Sequence, residues 1–200
     1  APILMDLEVE GRPGITKMVV QLTKQAFAFA FDRATGEPIW PIEEHPVPQS
    51  TTPGEKTSPT QPFPTKPPAF DRQGATVENL IDFTPELHKE ALEIVSQYTI
   101  GSMFMPPTVR TETNLGTIQL PGSQGGADVQ GGAFDPESGY MYVPSITAPF
   151  VADIIDGNPD RTNLRYVKGR RLWIGGPRGL PLFKPPYGRI TAFDMTKGEI

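Results

Sequence analysis

The sequence holds no cysteine, which excludes disulfides and every reaction that needs a thiolate. It has two histidines, His45 and His88, far apart and in no metal-ligand spacing, and each reads as a surface residue. No apolar run is long enough for a membrane-spanning helix. The 18 basic and 23 acidic side chains are mixed along the chain. Without a basic stripe, the electrostatic footprint of nucleic-acid binding is missing. The chain opens on "APILM" with no initiator methionine and no charged-then-apolar leader. It stops inside a pattern that is complete earlier. A piece of a longer protein is expected, with any targeting segment elsewhere.

Proline and glycine are abundant, 24 and 20 of the 200 residues, just short of the share that marks disorder. They punctuate short apolar segments, the pattern of strands and loops. Residues 1–40 predict a run of strands. In "AFAFAF", Phe27, Phe29 and Phe31 fall on one face and Ala26, Ala28 and Ala30 on the other. "DRATG" then supplies a turn, capped by Asp32 and closed by Gly36, and Pro38 points to an edge strand.

Residues 41–74 are dense in proline. They predict an extended, partly polyproline excursion with little regular structure, tacked down by Ile42, Val47, Phe63 and Phe70. Residues 84–98 predict the one clear helix, with Thr84 as N-cap, Pro85 at the first helical position and Glu86 at the positive end of the dipole. Leu87, Ala91, Ile94 and Val95 share one face. After residue 115 strand signals return. A hairpin turns on "DPESG", with Gly139 in the strained position. A loop is expected from Thr147 to Pro186, followed by "RITAFDMTKGEI".

Two segments repeat. Ala30-Phe31-Asp32-Arg33-Ala34-Thr35-Gly36-Glu37 matches Ala192-Phe193-Asp194-Met195-Thr196-Lys197-Gly198-Glu199, and "AFDPESGYMYV" is a looser cousin. Short strands with a recurrent turn suggest a β-propeller. The offset between the repeats exceeds one blade of about 40–50 residues, so long insertions lie between them.

The Ala-x-Asp-x-x-Thr-Gly-x-x-x-Trp pattern at 30–40 resembles the tryptophan docking motif of quinoprotein dehydrogenases. "TKQAFAFAFDRATGEPIWPIEEHPVPQ", "SPTQPFPTKPP", "PGSQGGADVQGGAFDPESGYMYVPS" and "PPYGRITAFD" resemble the glucose dehydrogenase branch, which uses pyrroloquinoline quinone (PQQ). The resemblance covers nearly the whole chain. It implies an all-β fold over residues 1–200: part of an eight-bladed propeller of four-stranded antiparallel blades, with the proline-rich insertion and one short helix. It further implies a calcium ion beside the quinone, a sugar or alcohol substrate, a quinone or other electron acceptor, and a periplasmic parent whose membrane association would depend on other regions.

The family's general base and calcium ligands lie before a segment like "PILMDL", hence upstream of Ala1. No residue here is assigned to either role. Asp6 reads as a turn or surface carboxylate, and the 200 residues alone are expected to be inactive.

Three residues carry the implied cofactor contact. Lys24 matches the lysine that reaches the quinone oxygens, where a fixed cation stabilises developing negative charge. The competing reading is a solvated lysine. Asp128 keeps the family's polar position, but a carboxylate facing the cofactor's own carboxylates needs an intervening cation. It reads equally as a turn cap. Val129 stands where the family has tryptophan, which removes an aromatic surface and an indole donor. That departure favours a second function, a binding or scaffold propeller without cofactor. Gly125, Gly126, Gly131 and Gly132 permit close approach to a ligand or simply turn the chain. Trp40 is expected to dock between blades. Trp173 sits in a loop-rich stretch, and Arg170-Arg171 reads as a solvated patch.

Overall fold

Alternation of apolar and polar residues builds the first sheet. The computed structural model describes residues 1–127, 131–169 and 172–200. Strands β1 (Ile3–Glu8), β2 (Ile15–Leu22) and β3 (Ala28–Asp32) form an antiparallel meander. Every second side chain of β1 and β2 turns inward, so Met5, Leu7, Met18, Val20 and Leu22 are buried. Ala28 and Ala30 lie on the same buried side. Their small side chains let a second sheet pack closely. Asp6, in β1 rather than a turn, points outward and pairs with Arg33 at 2.7 Å.

The proline-rich stretch is more regular than expected. β4 (Ile42–Pro46) and β5 (Thr60–Pro64) pair over five positions as an antiparallel ribbon. Its prolines are tolerated because a two-stranded ribbon consists of edges, where a missing N–H leaves no ladder bond broken. The ribbon leans on the phenylalanine face: Phe63 meets Phe27 edge-on at 5.2 Å. Phe70 is buried in the core between the sheets. A short pair, β6 (Gly74–Ala75) with β7 (Gly101–Ser102), brackets helix α1 (Pro85–Val95). The Thr84 hydroxyl accepts from Leu87 N at 3.3 Å and caps the helix. Leu87, Ala91 and Val95 face inward, and the helix ends at Val95 with Ser96 as its C-cap, short of residue 98.

The expected loop from Thr147 to Pro186 contains strands instead. β12 (Phe150–Asp156) is the centre of a five-stranded sheet. It is flanked by β8 (Thr108–Val109), β9 (Thr117–Gln119), β13 (Tyr166–Lys168) and β14 (Leu172–Trp173). Trp173 therefore belongs to a strand, with its ring outside. This sheet, α1 and the buried Leu182 and Phe183 enclose a second core.

β10 (Ala133–Asp135) and β11 (Tyr140–Ile146) form the expected hairpin, and β15 (Gly188–Asp194) joins β11 across the intervening excursion. This three-stranded meander repeats the first, and each gains the start of a fourth strand through bridges Phe31–Pro38 and Asp194–Glu199. The two meanders stack face to face over Met141, Val143, Phe193 and Met195. Burying each such side chain contributes on the order of 2 kcal/mol. The fold is all-β with one α-helix among the described residues, part of a β-propeller in which two adjacent blades carry long insertions.

The repeated turns share one construction. Asp32 Oδ1 accepts from Ala34 N at 2.8 Å and Thr35 N at 3.0 Å. Asp194 Oδ1 accepts from Thr196 N at 3.0 Å, and Asp135 Oδ1 from Glu137 N at 3.1 Å. Trp40, at the end of the first repeat, lies over Gly198 of the second: a Cβ there would stand 2.9 Å from its ring. Trp40 thus joins the two blades.

Candidate functional site

Lys24 sits in a tight turn between β2 and β3. Ala26 N donates to Thr23 O at 3.0 Å, and Thr23 N to Phe27 O at 2.9 Å. The turn forces Ala26 to φ 63°, a left-handed conformation costly for a residue with a Cβ. Ala26 is therefore outside the strand that the Ala/Phe alternation predicts, which starts at Ala28.

Two segments clasp this turn. Phe70 N donates to Ala26 O at 3.0 Å, and Gln73 Nε2 donates to Gln25 O at 2.9 Å. On the other side, Gly126 N donates to Lys24 O at 3.1 Å. The Lys24 ammonium reaches the Ser123 carbonyl at 3.1 Å. Gly125, at φ +85°, lies so close that a Cβ would fall 2.6 Å from Lys24 Cα. The close approach these glycines permit is thus to the chain's own backbone.

Gln124, Gly125, Gly126, Ala127 and Gly131 line one side of a cavity of about 380 Å³, and Pro144, Ser145 and Ile146 of β11 line the other. That volume is within the range of small-molecule sites. Lys24 stands behind the glycine wall.

Beneath Gly126 lies Asp71, whose side chain is wholly buried and paired with Arg189 of β15. Its Oδ1 accepts from Arg72 N at 2.7 Å. Its Oδ2 has no hydrogen-bond partner among the described residues. Arg72 donates to Lys184 O at 2.7 Å and Pro185 O at 2.9 Å. Burial and, next, the charge of Arg189 lower the Arg72 pKa, against the opposing pull of Asp71. One carboxylate thus faces two guanidiniums here, leaving a surplus of positive charge near the cavity.

The glycine cradle and the neighbouring cations suit a flat, polyanionic ligand. PQQ, an aromatic tricarboxylate, fits this chemistry. Among the described residues no group of three or more His, Asp or Glu could hold a metal ion. His45 is exposed, while His88 is half-buried with Nδ1 3.2 Å from Ile81 O.

Asp128 and Val129 lie outside the described residues, as does the Arg170-Arg171 pair. Sequence reasoning missed Asp71, Ser145 and Arg189. No local pattern marks them, because they meet only through the long excursions. A larger cavity of about 580 Å³ lies between residues 52–55 and the β12–β13 hairpin. It shares no lining residue with the glycine cavity. Its buried carboxylate, Asp153, is committed to Arg110 at 2.9 Å.

The family model described as "PQQ: Glucose/ethanol/alcohol dehydrogenase, beta-propeller domain" matches residues 1–200. The glycerol dehydrogenase large subunit of Gluconobacter oxydans (strain 621H) is 29% identical over 98% of this chain and 29% of its own length. Quinate/shikimate dehydrogenase (quinone) of Acinetobacter baylyi is 25% identical over 100% of this chain and 26% of its own. Quinoprotein glucose dehydrogenase of Escherichia coli (strain K12) is 28% identical over 100% and 26%. The chain spans less than a third of the length of these relatives.

Proposed function

Since the chain belongs to the glucose/ethanol/alcohol dehydrogenase β-propeller family, we propose that it is one wall of the cofactor site of a PQQ-dependent sugar or alcohol dehydrogenase. The observation that carries this reading is Lys24. A strained turn holds it in place, clamped between residues 70–73 and the glycine wall of a ligand-sized cavity. The quinone, when bound, supplies the two-electron acceptor for hydroxyl oxidation. Lys24, packed against Gly125 rather than lining the cavity, would have to leave the Ser123 carbonyl to hold its positive charge against the quinone's oxygens, and the Gly125–Gly126 wall excludes side chains from the space beside it. Asp128 and Val129 are proposed as further cofactor-contact positions from the family resemblance alone.

The proton-accepting base and the calcium ligands are proposed to lie in other parts of the parent. So are the sugar- or alcohol-binding loops and the contacts to a quinone or other electron acceptor. No helix among the described residues is long and apolar enough to cross a membrane, and a periplasmic location is proposed from the family.

Val129 favours one rival: a propeller that keeps its blades as a scaffold and has lost the cofactor. The experiment is to reconstitute the full-length protein with PQQ and calcium. Dye reduction is then followed with glucose, glycerol, ethanol and quinate. Saturable reduction with any of them supports the enzyme. Absence of quinone binding in an equilibrium titration supports the scaffold.

A further inference from the structure

The two walls of the glycine cavity come from distant parts of the chain. Behind the first is Asp71: a Cβ on Gly126 would stand 3.3 Å from Asp71 Cβ and 3.4 Å from Oδ2. Behind the second is Arg189. Its guanidinium donates to Ser145 Oγ at 3.3 Å, Thr147 Oγ1 at 3.0 Å and Pro186 O at 3.1 Å. Ser145 lines the cavity, and its backbone neighbour Ile146 donates to Gly126 O at 3.3 Å. The Asp71–Arg189 ion pair closes this circuit, with side-chain exposures of 0% and 17%.

A buried ion pair adds little net stability over an apolar pair of the same shape, yet losing one partner strands the other charge. Its distinctive property is geometry. A guanidinium fork fixes direction as well as distance.

We propose that Asp71 and Arg189 are a positioning pair for the cofactor. They hold the Gly125–Gly126 wall, and with it the Lys24 turn, at a set distance from the Ser145 wall, and so fix the width offered to a flat aromatic polycarboxylate. This rests on the assignment of the cavity to the quinone. Neither residue is placed against the ligand: Asp71 acts through Gly126, and Arg189 through Ser145. A pair serving stability alone would change the melting temperature and leave the affinity of the folded molecules untouched.

The test uses the full-length apoprotein with Asp71→Asn, Arg189→Met, Arg189→Lys, the Asp71→Asn/Arg189→Met double variant and Ser145→Ala. Each is titrated with PQQ at equilibrium. The absorption spectrum of the bound quinone is recorded, and the folded fraction is measured by circular dichroism. Loss of roughly 10- to 100-fold in affinity is expected for Asp71→Asn and Arg189→Met, as for other supporting groups behind a ligand contact. The bound spectrum should shift with it. Arg189→Lys should be intermediate, because it keeps the charge and loses the fork. The double variant should be no weaker than the worse single one, since both act through one bridge. Wild-type affinity in both single variants overturns the proposal, and so do additive losses. Should those variants fail to fold, Ser145→Ala, which removes only the cavity end of the bridge, decides: a several-fold loss supports the proposal and wild-type affinity overturns it. A parallel Lys24→Ala titration separates the layers. Unchanged binding there sinks the cavity assignment itself. Weakened Lys24→Ala with normal Asp71 and Arg189 variants sinks only the positioning pair.

Discussion

Lys24 owes its place to its neighbours' backbones. Gly125 has a positive φ and approaches Lys24 so closely that a methyl group would overlap Cα, Cβ and Cγ at 2.6–2.8 Å. Gly125→Ala therefore combines left-handed strain with a backbone clash, together on the order of 2–4 kcal/mol. Chemical denaturation of the full-length protein should record that loss, and an unchanged midpoint would contradict the packing described. Lys24→Ala is a different case. The residue is exposed, so its removal should leave stability within about 0.5 kcal/mol. Quinone affinity and turnover should fall by roughly 100-fold or more, the scale of a lost electrostatic contact to developing charge. Stability and turnover measured on one preparation separate the two residues. The lysine was legible because a long run of surrounding residues resembles a family. Asp71 and Arg189 were not, since one lies in a proline-dense excursion and the other follows "PPYG", with no local pattern joining them.

At the scale of elements, local chemistry was readable and distant pairing was not. Thr84-Pro85 announced α1, because a cap and a preset φ act within four residues. "DPESG" announced the β10–β11 turn for the same reason. β12 escaped notice because its four partners are short strands scattered from Thr108 to Trp173. Only tertiary pairing makes "FVADIID" a central strand. The recurrent turns carry their own test. Asp32 is held below the usual carboxylate range by the Ala34 and Thr35 N–H groups, Asp135 by Ser138 and Asp194 by Thr196. A carboxylate whose pKa is lower in the folded state lends stability that is complete above its unfolded pKa, about 4, and is lost as pH falls through its folded value. Urea midpoints should therefore decline as pH drops from 5 to 3. Replacing Asp32, Asp135 and Asp194 together by Asn should flatten that decline, and an identical acid limb in the triple variant would exclude these turns as its source.

For the whole molecule, the question is which surfaces the stacked sheets leave open. The inner faces of the two meanders cover each other through Met18, Val20, Met141 and Phe193. The outer face of the second does not have that cover. Tyr140, Tyr142 and Ile146 alternate outward along β11 at 37%, 40% and 49% exposure, and Ile190 of β15 stands beside Pro144 at 73%. Together they make a continuous apolar patch, the kind of surface that a neighbouring blade buries in a propeller. Among the described residues, only the start of a fourth strand is paired beyond each meander, so backbone donors and acceptors also remain available. Both features favour association between copies. The 200 residues produced alone should therefore self-associate at micromolar concentration. Tyr142→Lys with Ile190→Lys should shift the population toward monomer by breaking the patch while leaving Met141 and Phe193 in the core. Sedimentation velocity over a concentration series reads the outcome: a single monomeric species for the unsubstituted chain, melting cooperatively, would refute the account of an uncovered blade face.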